Sequence, residues 1–197
     1  MASQSAIAGI VLAAGMSSRM GQNKMLLAFA GETLLRGAAR RALAGGLSPL
    51  IVVLGAEADR AAAELEGLPC DIVRNRQFRS GMTSSMHAGL AALPTAMTAA
   101  IILLADMPLV TADMIRAMAH RYHETGAPLV ISRYDGVIAP PTLFDRRLFD
   151  ELLANSTEGA GRQVVERHRA DAEVLDWPAA TLSDLDTPED YARVTAR

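Results

Sequence analysis

Along the chain, hydrophobic and polar positions switch repeatedly between two periods. Residues 7–13 (IAGIVLA), 49–55 (PLIVVLG), 70–75 (CDIVRN), 98–108 (TAAIILLADMP), 127–134 (APLVISRY) and 172–177 (AEVLDW) are short apolar or β-branched runs that predict strands. The fourth is apolar almost throughout, the pattern of a strand buried on both faces of a parallel sheet. Between these runs the period lengthens. Residues 32–45 carry Leu34, Leu35, Ala38, Ala39 and Ala42 at helical spacing and stop at the pair Gly45 and Gly46. Residues 56–67, 82–93, 111–126, 146–155, 162–168 and the stretch from Pro188 predict further helices, with Pro140 and Pro141 marking a proline-rich turn. Strands that alternate with helices imply βαβ units. The expected fold is α/β, with three layers: a mostly parallel central sheet and helices on both faces.

Composition narrows the partners more than the fold. The chain has 197 residues, 50% of them hydrophobic, enough for one sizeable core. A net charge of −3, with no basic run and no aromatic-basic interleaving, argues against nucleic acid and membrane surfaces as partners. Cys70 lies in LPCDIV and has no second cysteine to pair with, which fits a reducing, cytoplasmic setting and a small buried hydrophobe. The first apolar run has no positively charged region ahead of it, unlike a secretory signal. No segment approaches the roughly 20 apolar residues of a membrane span.

Ligands of open α/β sheets bind beyond the carboxyl ends of the strands, so the residues that follow each strand hold the candidate chemistry. After the first strand, Leu12, Ala13, Ala14 and Gly15 are small or apolar, and Arg19 and Lys24 follow in a long, glycine-punctuated loop. The spacing fits neither a Walker loop nor GxGxxG. A dicationic loop of this kind suits an extended triphosphate, although an ordinary connection with solvated cations is equally compatible with these residues. Asp106 ends the most apolar strand ahead of Pro108, a position from which a carboxylate holds Mg²⁺ together with phosphates and water. Asp184 and Asp186 precede the last helix, where Asp186 is either a cap or a second metal ligand. Thr83, Ser84 and Ser85 follow Gly81 in a helix's first turn, as caps or as contacts to a base and ribose. His120 and His123, and the isolated His87 and His168, read as surface polarity, and Trp177 as a packing anchor. Met16, Met20, Met25, Met82, Met86 and Met107 read as adaptable packing beneath the site.

Taken together, LAAGMSSRMGQNK (12–24), NRQFRSGMTSSMHAGL (75–90), LLADMPLV (103–110) and DLDTPEDY (184–191) resemble, in this order, the motif blocks of the nucleotidyltransferases that complete the molybdenum cofactor. The resemblance spans nearly the whole chain and is strongest to the cytidylyltransferase branch, because of Ala14 and GMTSS. It implies a Rossmann-like nucleotidyltransferase fold over 1–197, with a nucleotide-binding half at about 1–110 and an acceptor-binding half at about 111–197. It further implies transfer of CMP from CTP to the phosphate of molybdopterin, with or without its molybdenum, and release of pyrophosphate. Leu12, Ala13, Ala14, Gly15, Ser84 and Ser85 then receive the nucleotide, Arg19 and Lys24 neutralise its triphosphate, and Asp106 and Asp186 hold Mg²⁺. Arg162 is the candidate contact to the acceptor phosphate. A recipient molybdoenzyme, or the chaperone that serves it, is the implied downstream partner. Residues 139–141 and 156–162 depart from the family's Gly-His-Pro turn and Gly-Asp-x-Gly-Ala-Arg loop. That departure keeps open GTP use, a sugar-phosphate or polyol-phosphate acceptor, and a non-catalytic nucleotide-binding role in cofactor delivery.

Overall fold

The computed structural model describes residues 6–17, 20–183, 185 and 187–195. Strands β1 (Ile7–Ala13), β4 (Leu50–Leu54), β5 (Asp71–Arg74), β6 (Ala99–Leu104), β7 (Leu129–Tyr134), β8 (Val137–Asp145) and β9 (Ala172–Trp177) form one seven-stranded sheet, and β2 (Ala28–Phe29) with β3 (Glu32–Thr33) forms a small hairpin. The order across the large sheet is β5-β4-β1-β6-β8-β7-β9. Every adjacent pair is parallel except those made by β8, which runs antiparallel to both β6 and β7.

Helices cover both faces. On one side α1 (Leu34–Ala44), α2 (Ala58–Ala63) and α4 (Ala112–Thr125) pack Leu35, Ala39, Ala61, Ile115 and Met118 against Val11, Val52 and Ile101. On the other, α3 (Met82–Ala91), α5 (Phe149–Ala154) and α6 (Ala160–Arg167) pack Met86, Leu90, Phe149, Leu152 and Val164 against Ile10, Val53 and Ile102. Because β1 lies between these layers, all seven of its residues are buried, which is why its sequence is apolar without alternation. The last helix, α7 (Pro188–Thr195), returns to the hairpin, where the Tyr191 hydroxyl donates to the Ala28 carbonyl. Thr187 and Asp190 cap it reciprocally, each side chain accepting from the other's backbone N–H.

The expected strands and helices are present, with ends moved inward where capping decides them. Thr33, not Glu32, starts α1, its hydroxyl accepting from the Arg36 amide. In the same way Thr111 caps α4. The expected helix over 56–67 is confined to α2, and the one over 162–168 begins earlier, at Ala160.

Residues 140 and 141 do not form a turn. They lie inside the nine-residue β8, and the reversal takes place before them, at Asp135 and Gly136, whose φ angles are +47° and +86°. Two consecutive positive φ values in a two-residue loop belong to a hairpin turn whose twist matches that of its strands, and Asp-Gly is a favoured pair for it. Asp145 at the far end of β8 joins three elements. It accepts from the Tyr122 hydroxyl of α4 at 2.7 Å and from the Arg147 backbone N and Nε, both at 2.8 Å. Burial alone would raise its pKa, yet these donors hold it below the ordinary carboxylate value, while burial and the same carboxylate push the Tyr122 phenol up to about 12.

Candidate active site

Strand order reverses at β1: the chain moves from it to β4 and β5 on one side, and β6 lies on the other. The crevice at such a switch point is where open α/β sheets bind ligands. The loops leaving β1 and β6 carry the two residues that the sequence singles out there. Lys24 Nζ lies 2.5 Å from Asp106 Oδ2, with side chains only 10% and 16% exposed.

Local chemistry fixes Lys24. Its backbone N–H donates to Ser17 Oγ, and Asn23 caps the short 3₁₀ turn Lys24–Leu26 by accepting from the Met25 amide. Asp106 is held from the other direction, since the neighbouring Ala105 amide donates to the Leu12 carbonyl and the Asp106 carbonyl accepts from Leu185 N at 3.2 Å. The segment ahead of α7 is thereby brought back to the end of β6. Arg19 and Asp186, the other expected cation and the second expected metal ligand, lie outside the described residues, as does Asp184.

Beside this pair the β1 loop is narrow and bare. Ala13 and Ala14 are buried, whereas Gly15 is exposed, with open space where a Cβ would stand. Gly55, after β4, packs so closely that a Cβ there would fall 2.5 Å from the Ala14 carbonyl. The loop is therefore backed by main chain on the β4 side.

Ser84 and Ser85 are brought together by a residue the sequence reading passed over. Asn75, buried at the end of β5, donates from Nδ2 to Ser84 Oγ at 2.9 Å and to Ser85 Oγ at 3.0 Å. Its Oδ1 accepts from Gln77 N. An asparagine directly after a strand, on the sheet's ligand-binding edge, was the available signal.

A cavity of about 560 Å³ opens next to these elements, between α3, the ends of β1 and β6, the start of β8, and α6. Its walls are mostly apolar, with Met86, Ile102, Leu104, Ile138, Phe144 and Val165 among them. Leu12 and Arg162 line it; Lys24 and Asp106 do not. Leu12 thus faces this space, whereas Ala13 turns into the opposite layer. Arg162 is exposed and makes no hydrogen bond or ion pair with the described residues.

The two helices that flank the cavity start without side-chain caps of their own, at Gly81 and Gly159. Each caps the other. Glu158 Oε1 accepts from the Met82 amide at 3.4 Å, and the Thr83 hydroxyl accepts from the Ala160 amide at 3.4 Å while donating to the Thr157 carbonyl at 2.9 Å. Gly81 has φ +98°, and a Cβ on it would overlap the Glu158 carboxylate.

Several side readings change in detail. Met20, Met25, Met86 and Met107 are buried as expected, but Met16 and Met82 are 53% and 52% exposed and pack beneath nothing. His168 is paired with Glu151, and His87 Nε2 contacts the Leu152 carbonyl. Cys70 is half-buried, with its thiol pKa raised by burial first and by Asp71 second. Trp177 packs against the α1–α4 layer as anticipated, but its buried Nε1 has no partner. No described helix is long and apolar enough to cross a membrane.

Residues 9–172 match the family model of the MobA-like NTP transferase domain. The chain belongs to that family. As a MobA-like nucleotidyltransferase it is 30% identical to the nicotine blue oxidoreductase of Paenarthrobacter nicotinovorans, over 95% of this chain and 96% of that protein. It is also 30% identical to the purine catabolism protein PucB of Bacillus subtilis, over 94% of each. The molybdenum cofactor cytidylyltransferase of Escherichia coli is 27% identical, over 98% of this chain and 96% of that one. Among solved structures, Rv0371c of Mycobacterium tuberculosis superposes with a TM-score of 0.88 at 27% identity, over 99% of this chain and 100% of that one. The same protein has also been solved in complex with manganese.

Proposed function

We propose that the chain transfers CMP from CTP to the phosphate of molybdopterin, releasing pyrophosphate, with Mg²⁺ held at Asp106. The observation that carries this reading is the Lys24–Asp106 pair at the switch point, a cation and a carboxylate on the loops that leave the two central strands. Among the described residues no three His, Cys, Asp or Glu side chains converge. A divalent ion at Asp106 would therefore take most of its ligands from phosphate and water, the arrangement Mg²⁺ favours. The manganese in Rv0371c supports a divalent cation here, and Asp186 is the proposed second carboxylate.

Bound there, the ion would offset charge on the phosphates. The rest falls to the chain. Lys24, released from Asp106, faces the triphosphate and stabilises pyrophosphate as it leaves, joined by Arg19 in the same loop. Ala13, Ala14 and Gly15 present backbone to the base and ribose, with Ser84 and Ser85 oriented by Asn75. Ala14 favours a pyrimidine, since its methyl takes up room and the main chain at Gly55 keeps the loop from retreating. A phosphate oxygen of the acceptor attacks the α-phosphorus, a P–O bond forms, and the bond to pyrophosphate breaks. The attacking oxygen is already anionic, so no strong general base is required. The protein's task is to align two repelling anions, and Arg162 serves the acceptor's phosphate from the cavity wall.

The test is pyrophosphate release from CTP, GTP and ATP separately with Mg²⁺, with and without molybdopterin, using Asp106→Asn as the blank. Release with CTP that requires molybdopterin is the expected result. Release that requires a sugar or polyol phosphate instead would change the acceptor. Nucleotide binding without release under any condition would leave a binding role in cofactor delivery.

A further inference from the structure

The apolar cavity has a feature that its side chains alone do not reveal. In the β7–β8 hairpin the two-residue turn at Asp135 and Gly136 makes Tyr134 and Val137 exchange both backbone hydrogen bonds. Antiparallel pairs alternate, so the next pair, Arg133 and Ile138, is a non-bonded one. The N–H and C=O of Ile138 therefore point away from β7, toward the side on which β6 would lie. Here β6 has already parted from its neighbour. The β6–β8 register ends at Ile102 opposite Thr142, and the residues next in line on β8 are Pro141 and Pro140, neither of which has an amide hydrogen to give. Those two prolines are also skipped by β7, whose register steps from Thr142 to Ala139, and the buried Tyr134 hydroxyl holds the bulge by donating to the Pro140 carbonyl at 2.8 Å.

The result is a fork in the sheet at its ligand-binding edge. Ile138 packs toward the α3–α6 layer and Ala139 toward the opposite one, yet both line the cavity. The cavity thus reaches the backbone edge between the strands as well as one face of the sheet. Above and below that edge stand Met86, Phe144 and Val165, and Arg162 stands apart from them, exposed.

Resting on the acceptor-site reading given above, we propose that this fork is the specificity-determining element of the site. In this reading it is a slot for a flat heteroaromatic ring whose edge carries a neighbouring donor and acceptor. Ile138 reads that edge through its own N–H and C=O, and Arg162 meets an anionic substituent. A polyhydroxylated sugar would face apolar side chains with most of its hydroxyls unpaired, at a cost that a flat ring with apolar faces avoids. The Ala-Pro-Pro sequence at 139–141 is then the device that holds the strand edge open.

Binding to the full chain decides the matter without nucleotide or turnover, by titrating pterin-6-carboxylate and following its own fluorescence. Two comparators compete against it: 2-naphthoate, an anionic bicycle with no hydrogen-bonding edge, and glucose 1-phosphate. Pterin-6-carboxylate is expected to bind at least about ten-fold more tightly than either, the discrimination a buried donor–acceptor edge gives. Arg162→Ala, at an exposed residue with no partner to lose, should weaken it by about ten-fold. Val165→Phe should abolish it by filling the slot. Equal binding of naphthoate overturns the edge reading, tighter binding of the sugar phosphate overturns the heteroaromatic class, and undiminished binding to Arg162→Ala and a melting-competent Val165→Phe overturns the location. Because the assay uses no CTP, intact binding with no pyrophosphate release would reject the transfer reaction and leave the slot standing. Release without this binding preference would do the reverse.

Discussion

At the scale of single residues, the closest approach of opposite charges in the candidate site is also its main vulnerability. Lys24 and Asp106 are each mostly buried and lie 2.5 Å apart, so removal of either charge leaves the other poorly solvated. Asp106→Ala confounds chemistry with folding for that reason. Asp106→Asn keeps an oxygen for Lys24 to bond and removes the charge that a cation would need. Turnover is expected to fall by at least about 100-fold in Asp106→Asn while Tm drops less than in Asp106→Ala, read by pyrophosphate release and thermal melting on both variants. An equal loss of Tm in the two variants, with residual turnover in Asp106→Asn, would make the pair a structural one. The sequence made these two residues legible because a cation in a long loop and a carboxylate closing an apolar strand are conspicuous locally. It did not reveal Asn75, which reads as an ordinary post-strand polar residue until the fold lays Ser84 and Ser85 against it.

Among elements, legibility follows how local the deciding interaction is. The β1 and β6 strands and the α1 and α4 helices are coded by runs of apolar spacing and by threonine caps a few residues away. β8 is coded by a turn instead. Pro140 and Pro141 carry the stronger local signal for a break, and the weaker Asp-Gly signal five residues earlier is what the chain follows, because the bulge at the prolines is stabilised from Tyr134. The starts of α3 and α6 show the same limit, since each takes its cap from the other across more than 70 residues of chain. Thr83→Val tests that link. The valine removes the hydroxyl shared by the buried Ala160 amide and the Thr157 carbonyl, at a cost of about 1–3 kcal/mol measured by denaturant unfolding. Glu158→Ala, which removes a longer and more exposed contact, is expected to cost less, about 0.5–1 kcal/mol. A reversed order would mean that the carboxylate, not the hydroxyl, ties the two helices together.

For the molecule as a whole, one sheet carries two adjoining sites. The Lys24–Asp106 pair, the β1 loop and the serines held by Asn75 lie on or beside the strands β1, β4, β5 and β6, within the proposed nucleotide half. The cavity with Ile138 and Arg162 takes its far wall from β8 and α6, within the proposed acceptor half. Leu12 and Leu104 belong to the first set of strands and still line the cavity, so the two sites meet at the ends of β1 and β6. Such an arrangement suits a reaction between two anions, each neutralised by its own cation before they are brought into line. It also makes the halves kinetically separable. Ser84→Ala should raise KM for CTP and leave the acceptor KM within about two-fold, whereas Arg162→Ala should raise the acceptor KM and leave that for CTP unchanged. Neither residue touches the other's proposed ligand, so the two effects on kcat/KM should add in the double variant to within about 0.5 kcal/mol. Initial rates over a grid of both substrate concentrations measure all four constants. If Arg162→Ala changes the CTP constant as strongly as the acceptor constant, the cavity is part of the nucleotide site, and the division of the chain near residue 110 does not describe how it works.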